Sequence, residues 1–479
     1  MIMIRSFLFS LILMAPMALD AVTVEASEAR PRIIVTTDGE ADDKASFVRF
    51  LLTCNEFDVE AIVNSSSKFH WKGGRGWNAL APSDWVSDYI SLYAKVYHNL
   101  LQHSPDYPSP QSLLDCWREG NVSAVGEDSI LTEGARLIAS VLLDGSDPRP
   151  VWVQAWGGCN TIARALRFIE EEHPARMAEV ASRLRLFLIW EQDGTYQSYI
   201  RPHWESLGAT TIISDQFDCM AYIWGKVLPD SVKRYFEADW MTPNIISGHG
   251  PLCAAYHNKR GAFNAEGDTP SFLHTIPTGL RSMEMPSYGG WGGRYERLRG
   301  NVWIDVPPAG YGYSDLTGAW DDVNSWSRMM QKWKSEAQVA VRTEYFKPMW
   351  RWFKDVQNDF AARADWCVKG YAEANHHPVV RLKNTPLDIT ARPGQRLTLN
   401  AGATTDPDGD SLSYRWWHYA EAGTYRGGVV SGGNRPKVKV TVPADARQGE
   451  TIHFVCTVTD NGTPSLTRYA RVIVTVADD

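Results

Sequence analysis

Long apolar runs are almost missing from this chain. The one continuous stretch, Ser6 to Ala15 after a single Arg5, is too short to span a bilayer comfortably. It reads instead as the core of a secretory signal peptide over residues 1–26, with Val24-Glu25-Ala26 as a candidate cleavage site and no Cys to anchor a lipid. The mature chain is therefore expected to have no membrane span and to be secreted or periplasmic. Cysteine is sparse: seven residues, at 54, 116, 159, 219, 253, 367 and 456, with no CxxC and no zinc-like spacing. The odd count leaves a thiol unpaired, and mostly buried free cysteines with room for one bridge are expected. Basic blocks are also lacking, and the net charge of -8 argues against a nucleic-acid partner.

What is present is core-forming material. At 479 residues, 44% apolar and 22% charged, the chain reads as a globular protein of two or three domains. Its 20 Trp and 19 Tyr serve either large aromatic cores or the stacking of sugar faces.

Residues 33–52 carry the most information. Ile33 to Thr37 is a β-branched run that predicts a buried strand, and Ala45, Val48, Leu51 and Leu52 recur at helical spacing. Between them stand Asp38, Glu40, Asp42 and Asp43. A helix N-terminus favours a carboxylate by at most about 1 kcal/mol. Two like charges about 4 Å apart repel by roughly 1 kcal/mol in water and by several times that when partly buried. Capping alone does not hold four acids together. A hard cation does, and oxygen ligands suit calcium better than zinc. The other reading is an acidic, solvated loop with Asp42 or Asp43 as N-cap.

Further strands are predicted at Val59–Val63, Arg149–Trp156, Leu184–Trp190 and Ala209–Ser214. The second is followed by Gly157-Gly158 and a helix with Ile162, Ala163, Leu166 and Ile169 on one face. Residues 77–121 give no firm pattern. Alternating strands and helices imply an α/β fold, a mainly parallel sheet with flanking helices. Ligands bind at the carboxyl ends of such strands, where Asp38, Asn64, Trp156, Gln192 and Asp193 all fall. Asp321 to Tyr371, Trp-rich and helix-forming, closes a first domain over 30–374, and Asn375-His-His-Pro378 marks a linker. Five short strands then predict an all-β, immunoglobulin-like sandwich over 375–479.

The acid spacing resembles the D-x-D-P-G-x-D-D signature of nucleoside hydrolases. Asp38, Asp42 and Asp43 match its last three acids, Thr36 stands at the first, and Gly39-Glu40 replaces Pro-Gly. Gly289-Gly-Trp-Gly-Gly-Arg-Tyr295 is similar to an element of the nucleoside-hydrolase-like family described as cellulose-binding. The resemblance implies calcium held by Asp38, Asp43, the carbonyl of Trp156 and Asp268, with Gly267 where the family pattern has His. It further implies Asp38 as general base and Asp42 as acceptor of a sugar hydroxyl. Asn64, Gln192, Trp291 and Arg294 are candidate substrate contacts. For the proton donor to the leaving group, His70, His203, Glu191, Asp193 and His249 are candidates, with Asp193 and His249 foremost. The expected function is calcium-dependent hydrolysis of a glycosidic bond in a saccharide or glycoside; the alternative is a non-catalytic carbohydrate-binding protein on the same fold. Asp406-Pro-Asp-Gly-Asp410 and Thr457-Val-Thr-Asp460 resemble PKD and cadherin-like modules. That module is expected to be a spacer or to pack on the first domain, its acids forming a solvated turn or, failing that, a calcium loop.

Overall fold

The computed structural model describes residues 23–25, 29–257, 260–306, 339–428, 430 and 432–478. The expected leader up to residue 22, and Trp326 and Trp333 of the expected closing helices, lie outside the described residues.

β1 (Thr23–Glu25) is short, and β2 (Arg32–Thr37) is buried at all six positions. Burial on both faces is what a continuous apolar run in a parallel sheet requires. The two faces of β2 feed two cores. Ile33 and Val35 pack with Phe47 and Leu51 of α1 (Ala41–Thr53), while Ile34 packs with residues on the opposite side. β3 (Asp58–Asn64) follows; then come α2 (Trp85–Ala94), α3 (Tyr97–His103), β4 (Trp117–Glu119), α4 (Glu133–Leu143), β5 (Val151–Ala155) and α5 (Asn160–Glu172). Ile138 of α4 and Ile162 and Leu166 of α5 are the partners of Ile34. β6 (Leu184–Ile189), β7 (Thr210–Ser214), α6 (Thr269–Leu273), β8 (Tyr295–Arg299), β9 (Val302–Asp305) and α7 (Phe353–Trp366) complete this part.

The strands form one sheet in the order β4-β3-β2-β5-β6-β7-β9-β8, parallel except for the β8–β9 pair. Strand order reverses at β2, between β3 and β5. A crevice opens at such a reversal, beyond the carboxyl ends of the strands. This is the mainly parallel α/β arrangement with flanking helices that the sequence predicts, with β4 and the antiparallel β8–β9 edge in addition.

The C-terminal region is β-rich. It contains β10 (Arg381–Lys383), β11 (Asp388–Ala391), β12 (Arg396–Asn400), β13 (Ser413–His418), β14 (Lys437–Thr441), β15 (Thr451–Thr459) and β16 (Thr467–Val476). A four-stranded sheet, β11-β16-β15-β13, faces the β12–β14 pair across a core that includes Leu399, Trp416, Val440, Phe454 and Val472. β1 pairs antiparallel with β10, so a cut after Ala26 would remove that strand.

This region packs on the first. Arg468 contacts Asp359 at 3.2 Å, the Tyr469 hydroxyl donates to Asp355 at 2.5 Å, and Arg471 donates to the carbonyls of Tyr288 and Gly289 at 2.6 and 2.8 Å. The segment read as a linker is ordered, with Asn375 and His376 buried. All seven cysteines are free, so the one bridge allowed for is not formed. Among the described residues no helix is long and apolar enough to cross a membrane.

Candidate metal centre and ligand cavity

Asp38 directly follows β2, and Asp42 and Asp43 fall in the first turn of α1. Asp268 arrives from the opposite side as the residue before α6. Its approach is set two residues earlier. Arg49 of α1 donates to both oxygens of Glu266 at 2.5 and 2.9 Å, and Tyr256 donates to the same carboxylate at 2.6 Å. At Gly267, between the two acids, a Cβ would sit 2.4 Å from Asp42 Oδ2. The site therefore excludes a His at that position.

Carboxylate oxygens of Asp42, Asp43 and Asp268 lie within 4.8 Å of one another. Burial, and then the charges of neighbouring acids, push the carboxyls of Asp38, Asp42 and Asp268 well above the usual range. Asp43 is also raised by burial, although Thr37 donates its hydroxyl to it. Asp38 Oδ2 and Asp268 Oδ2 are buried and have no hydrogen-bond partner among the described residues. Close, buried, mutually repelling carboxylates with unpartnered oxygens fit a hard divalent cation.

Beside this cluster opens a cavity of about 600 Å³. Phe69, Trp77, Trp190, Phe217 and Tyr222 form its aromatic walls, and Glu40, Asp42, His70, Asp218 and His257 supply polar groups. Asp38, Asp43 and Asp268 are not among the lining residues. The Tyr222 hydroxyl lies 2.6 Å from Glu40 and 3.2 Å from Asp42. Trp190 adopts φ 61, a left-handed conformation uncommon for a bulky side chain and typical of strained functional loops. His70 places Nδ1 3.3 Å from the Ala79 carbonyl and Nε2 3.4 Å from Glu40. Burial works against its charge, but the contact with Glu40 outweighs it and the pKa is raised.

Gln192 also lines the cavity, while other expected residues are placed differently. The Trp156 carbonyl accepts from Gln192 Nε2 at 2.6 Å, and Asn64 Oδ1 accepts from the Trp117 indole at 2.6 Å. Asp193 clamps the turn after β5: it accepts from the Asn160 N–H at 3.0 Å and from the Thr195 N–H and hydroxyl at 2.9 and 2.6 Å. A Cβ at Gly158 would collide with its Oδ2 at 2.2 Å. His249 lies 3.2 Å from Asp365 of α7, and His203 lies 3.0 Å from Glu170. Neither His249 nor Asp193 lines the cavity, whereas His70, also a candidate, does. Trp77, Trp190 and Tyr222 were not singled out by sequence; the aromatic stretch after β3, Lys68-Phe-His-Trp71, was the available signal.

Residues 32–295 match the family model for "Cellulose-binding Sde182, nucleoside hydrolase-like domain", and 396–476 match "Cellulose-binding protein Sde0182, C-terminal domain". The chain belongs to this family. A solved member-like structure is a nucleoside hydrolase-related hypothetical protein from Saccharophagus degradans, associated with carbohydrate metabolism. It is 30% identical, with 93% of this chain and 100% of that one covered, at a TM-score of 0.73. A plant nucleoside hydrolase, 11% identical and covering 66% of this chain and 98% of its own, has a TM-score of 0.28, too low to carry an argument. No curated protein matches the sequence. The Gly-rich element that resembled the family's own holds the two regions together here. Trp291 is 1% exposed and donates its indole N–H to the Tyr469 hydroxyl at 3.3 Å, and Arg294 donates to the Glu421 carbonyl at 3.0 Å. Neither offers a face to a ligand in the cavity, because both are spent on contacts with the C-terminal strands.

Proposed function

We propose that this family member is an exported, calcium-dependent hydrolase of a glycosidic bond in a saccharide or glycoside. One observation carries the reading: buried, mutually close carboxylates stand against a cavity whose other walls are aromatic. Asp43 and Asp268, with Asp38 beside them, would hold the calcium, with Asp42 reaching both the cluster and the cavity wall. When bound, the cation offsets the carboxylate repulsion and makes a water easier to deprotonate. Asp38 would then serve as the general base toward the attacking water. His70, with the Ala79 carbonyl facing Nδ1 and Glu40 near Nε2, has its protonated form favoured and would give a proton to the departing oxygen. The aromatic walls orient the sugar by its apolar faces, as few polar groups in a largely apolar pocket do in general.

A second reading, carbohydrate binding without turnover, is favoured by the burial of Asp38. Asp38 is 2% exposed and does not line the cavity. Calcium titration of the chelator-stripped chain, beside Asp43→Asn and Asp268→Asn, separates the readings when followed by a hydrolysis screen on cello-oligosaccharides and aryl furanosides. Calcium binding lost in both variants, with calcium-dependent turnover in the wild type, supports the hydrolase. Saccharide binding without turnover leaves the binding protein.

A further inference from the structure

A second cavity, of about 580 Å³, lies at the other end of the large sheet from the acid cluster. Trp152 of β5, Arg185 of β6 and Thr210 of β7 line it, all from the amino ends of their strands. They stand at matched positions, Trp152 opposite Arg185 and Arg185 opposite Thr210, so the sheet sets their spacing. Arg297 and Trp303, partners across the β8–β9 edge, line it as well, and the loop of residues 283–286 forms a further wall.

Positive charge is in excess here. Four arginines line the cavity, and two of them are neutralised: Arg30 pairs with Asp58 at 2.6 Å, and Arg149 pairs with Asp58 and Asp147 at 2.7 and 2.5 Å. Glu284, the one acid on the walls, is held by Arg281 at 2.6 Å. Arg185 and Arg297 have no carboxylate partner among the described residues. Arg185 is half-buried, and its Nη1 donates to the carbonyls of Ser182 and Leu184 at 2.9 and 3.0 Å, which fixes the guanidinium plane. Burial lowers its pKa and no neighbouring acid offsets that. Its Nε and Nη2 make no hydrogen bond among the described residues. Elsewhere in this chain that same edge takes both oxygens of a carboxylate, Arg49 on Glu266 at 2.5 and 2.9 Å and Arg281 on Glu284 at 2.7 and 2.6 Å. The Arg297 guanidinium lies 5.0 Å from the centre of the Trp303 ring.

We propose that this cavity binds an acidic sugar, with its oxyanion held by Arg185 and Arg297 and its body against Trp303 and Met283. A planar guanidinium fork matches a carboxylate or a phosphate, so a uronate and a sugar phosphate share the required chemistry. A charge drawn partly out of water without a counter-charge is costly, and an oxyanion relieves that cost where a neutral sugar does not. The volume suits a small ligand, for which pockets run to roughly 300–1,000 Å³. Thr210 and Asn301 add neutral polar groups for hydroxyls. The site shares no residue with the metal cluster or the first cavity, and it does not rest on the hydrolase reading.

The test is calorimetric titration of glucuronate, glucose 6-phosphate and glucose, each separately, into the full chain in EDTA, so that no cation at the acid cluster holds either anion. Arg185→Gln and Trp77→Ala are titrated alongside. The expected result is one equivalent of glucuronate or glucose 6-phosphate bound at least tenfold more tightly than glucose, and the tighter of the two identifies the anion. Arg185→Gln is expected to lose tenfold or more of that affinity, and Trp77→Ala, at the first cavity, to keep it. No saturable binding of either anion overturns the proposal. So does full affinity in Arg185→Gln, or a loss confined to Trp77→Ala, which assigns the anion to the first cavity. Should Arg185→Gln fail to fold by circular dichroism, Arg297→Gln on the exposed side of β8 decides. A tenfold or greater loss there supports the proposal, and unchanged affinity overturns it.

Discussion

Arg49 and Glu266, 217 residues apart, form a bidentate ion pair that is almost entirely withdrawn from solvent. The pair ties α1, which carries Asp42 and Asp43, to the loop that delivers Asp268. Removing one partner of such a pair strands the other charge and costs about 3–5 kcal/mol. Arg49→Met is therefore expected to lower unfolding free energy by that amount and to weaken calcium binding at the acid cluster. Urea denaturation paired with calcium titration checks both, and an unchanged calcium affinity in the folded variant would show that Asp268 is positioned by other means.

Trp77 is 65% exposed at the cavity mouth, with its ring 5.2 Å from that of His70. Little stability depends on so exposed a side chain, so Trp77→Ala should leave the unfolding free energy within about 0.5 kcal/mol of wild type. Loss of a stacking face should weaken saccharide binding several-fold, about 1 kcal/mol. Binding isotherms with cello-oligosaccharides would contradict this if they overlay those of the wild type.

If His70 supplies a proton to the leaving group, activity falls as pH rises through its raised pKa. His70→Gln is expected to flatten that alkaline limb and to cost about 10²–10⁴-fold with a poor leaving group. An aryl glycoside, whose phenol leaves without help, should lose far less. Equal losses on both substrates would remove His70 from this role.

Asp215 is buried at the end of β7, accepts from the Tyr345 hydroxyl at 3.0 Å, and has its pKa pushed up to about 7 by burial. A carboxyl whose folded pKa is raised adds stability below its unfolded pKa of 3.8 and loses that contribution as pH rises through about 7. Asp215→Asn keeps an oxygen for Tyr345 and has no charge to bury. It should match the wild type near pH 4 and exceed it above pH 8. Chemical denaturation across that range would refute the assignment if the two curves ran parallel.

Sequence periodicity was enough to find β2, α1 and the parallel strands β3, β5, β6 and β7, because burial leaves an apolar run that is hard to mistake. The short β4 and β9 were missed. Acid spacing located Asp38, Asp42 and Asp43 for a similar reason: their crowding has no cheap structural explanation. The cavity was less legible. Its walls come from the segments around Phe69, Trp190 and Tyr222, and no local pattern joins residues so far apart in the chain. Asp193 and Trp291 show the converse. An acid after a strand and an aromatic in a Gly-rich loop carry the same local signature whether they meet a ligand or a neighbouring turn, and here they meet the turn and β16.

The docking of β16 bears on how this chain can be cut or recombined. Arg468, Tyr469 and Arg471 reach partners on the α/β side, among them Asp355, Asp359 and the carbonyls of Tyr288 and Gly289. A protease nick between residues 374 and 378 would leave two pieces still clasped together. A gene shortened at the same point would yield a protein with stranded acids and a bare aromatic face around Trp352, prone to stick to itself. The C-terminal strands are thus no portable tag: transplanted to another enzyme, they would carry an adhesive side shaped for this one.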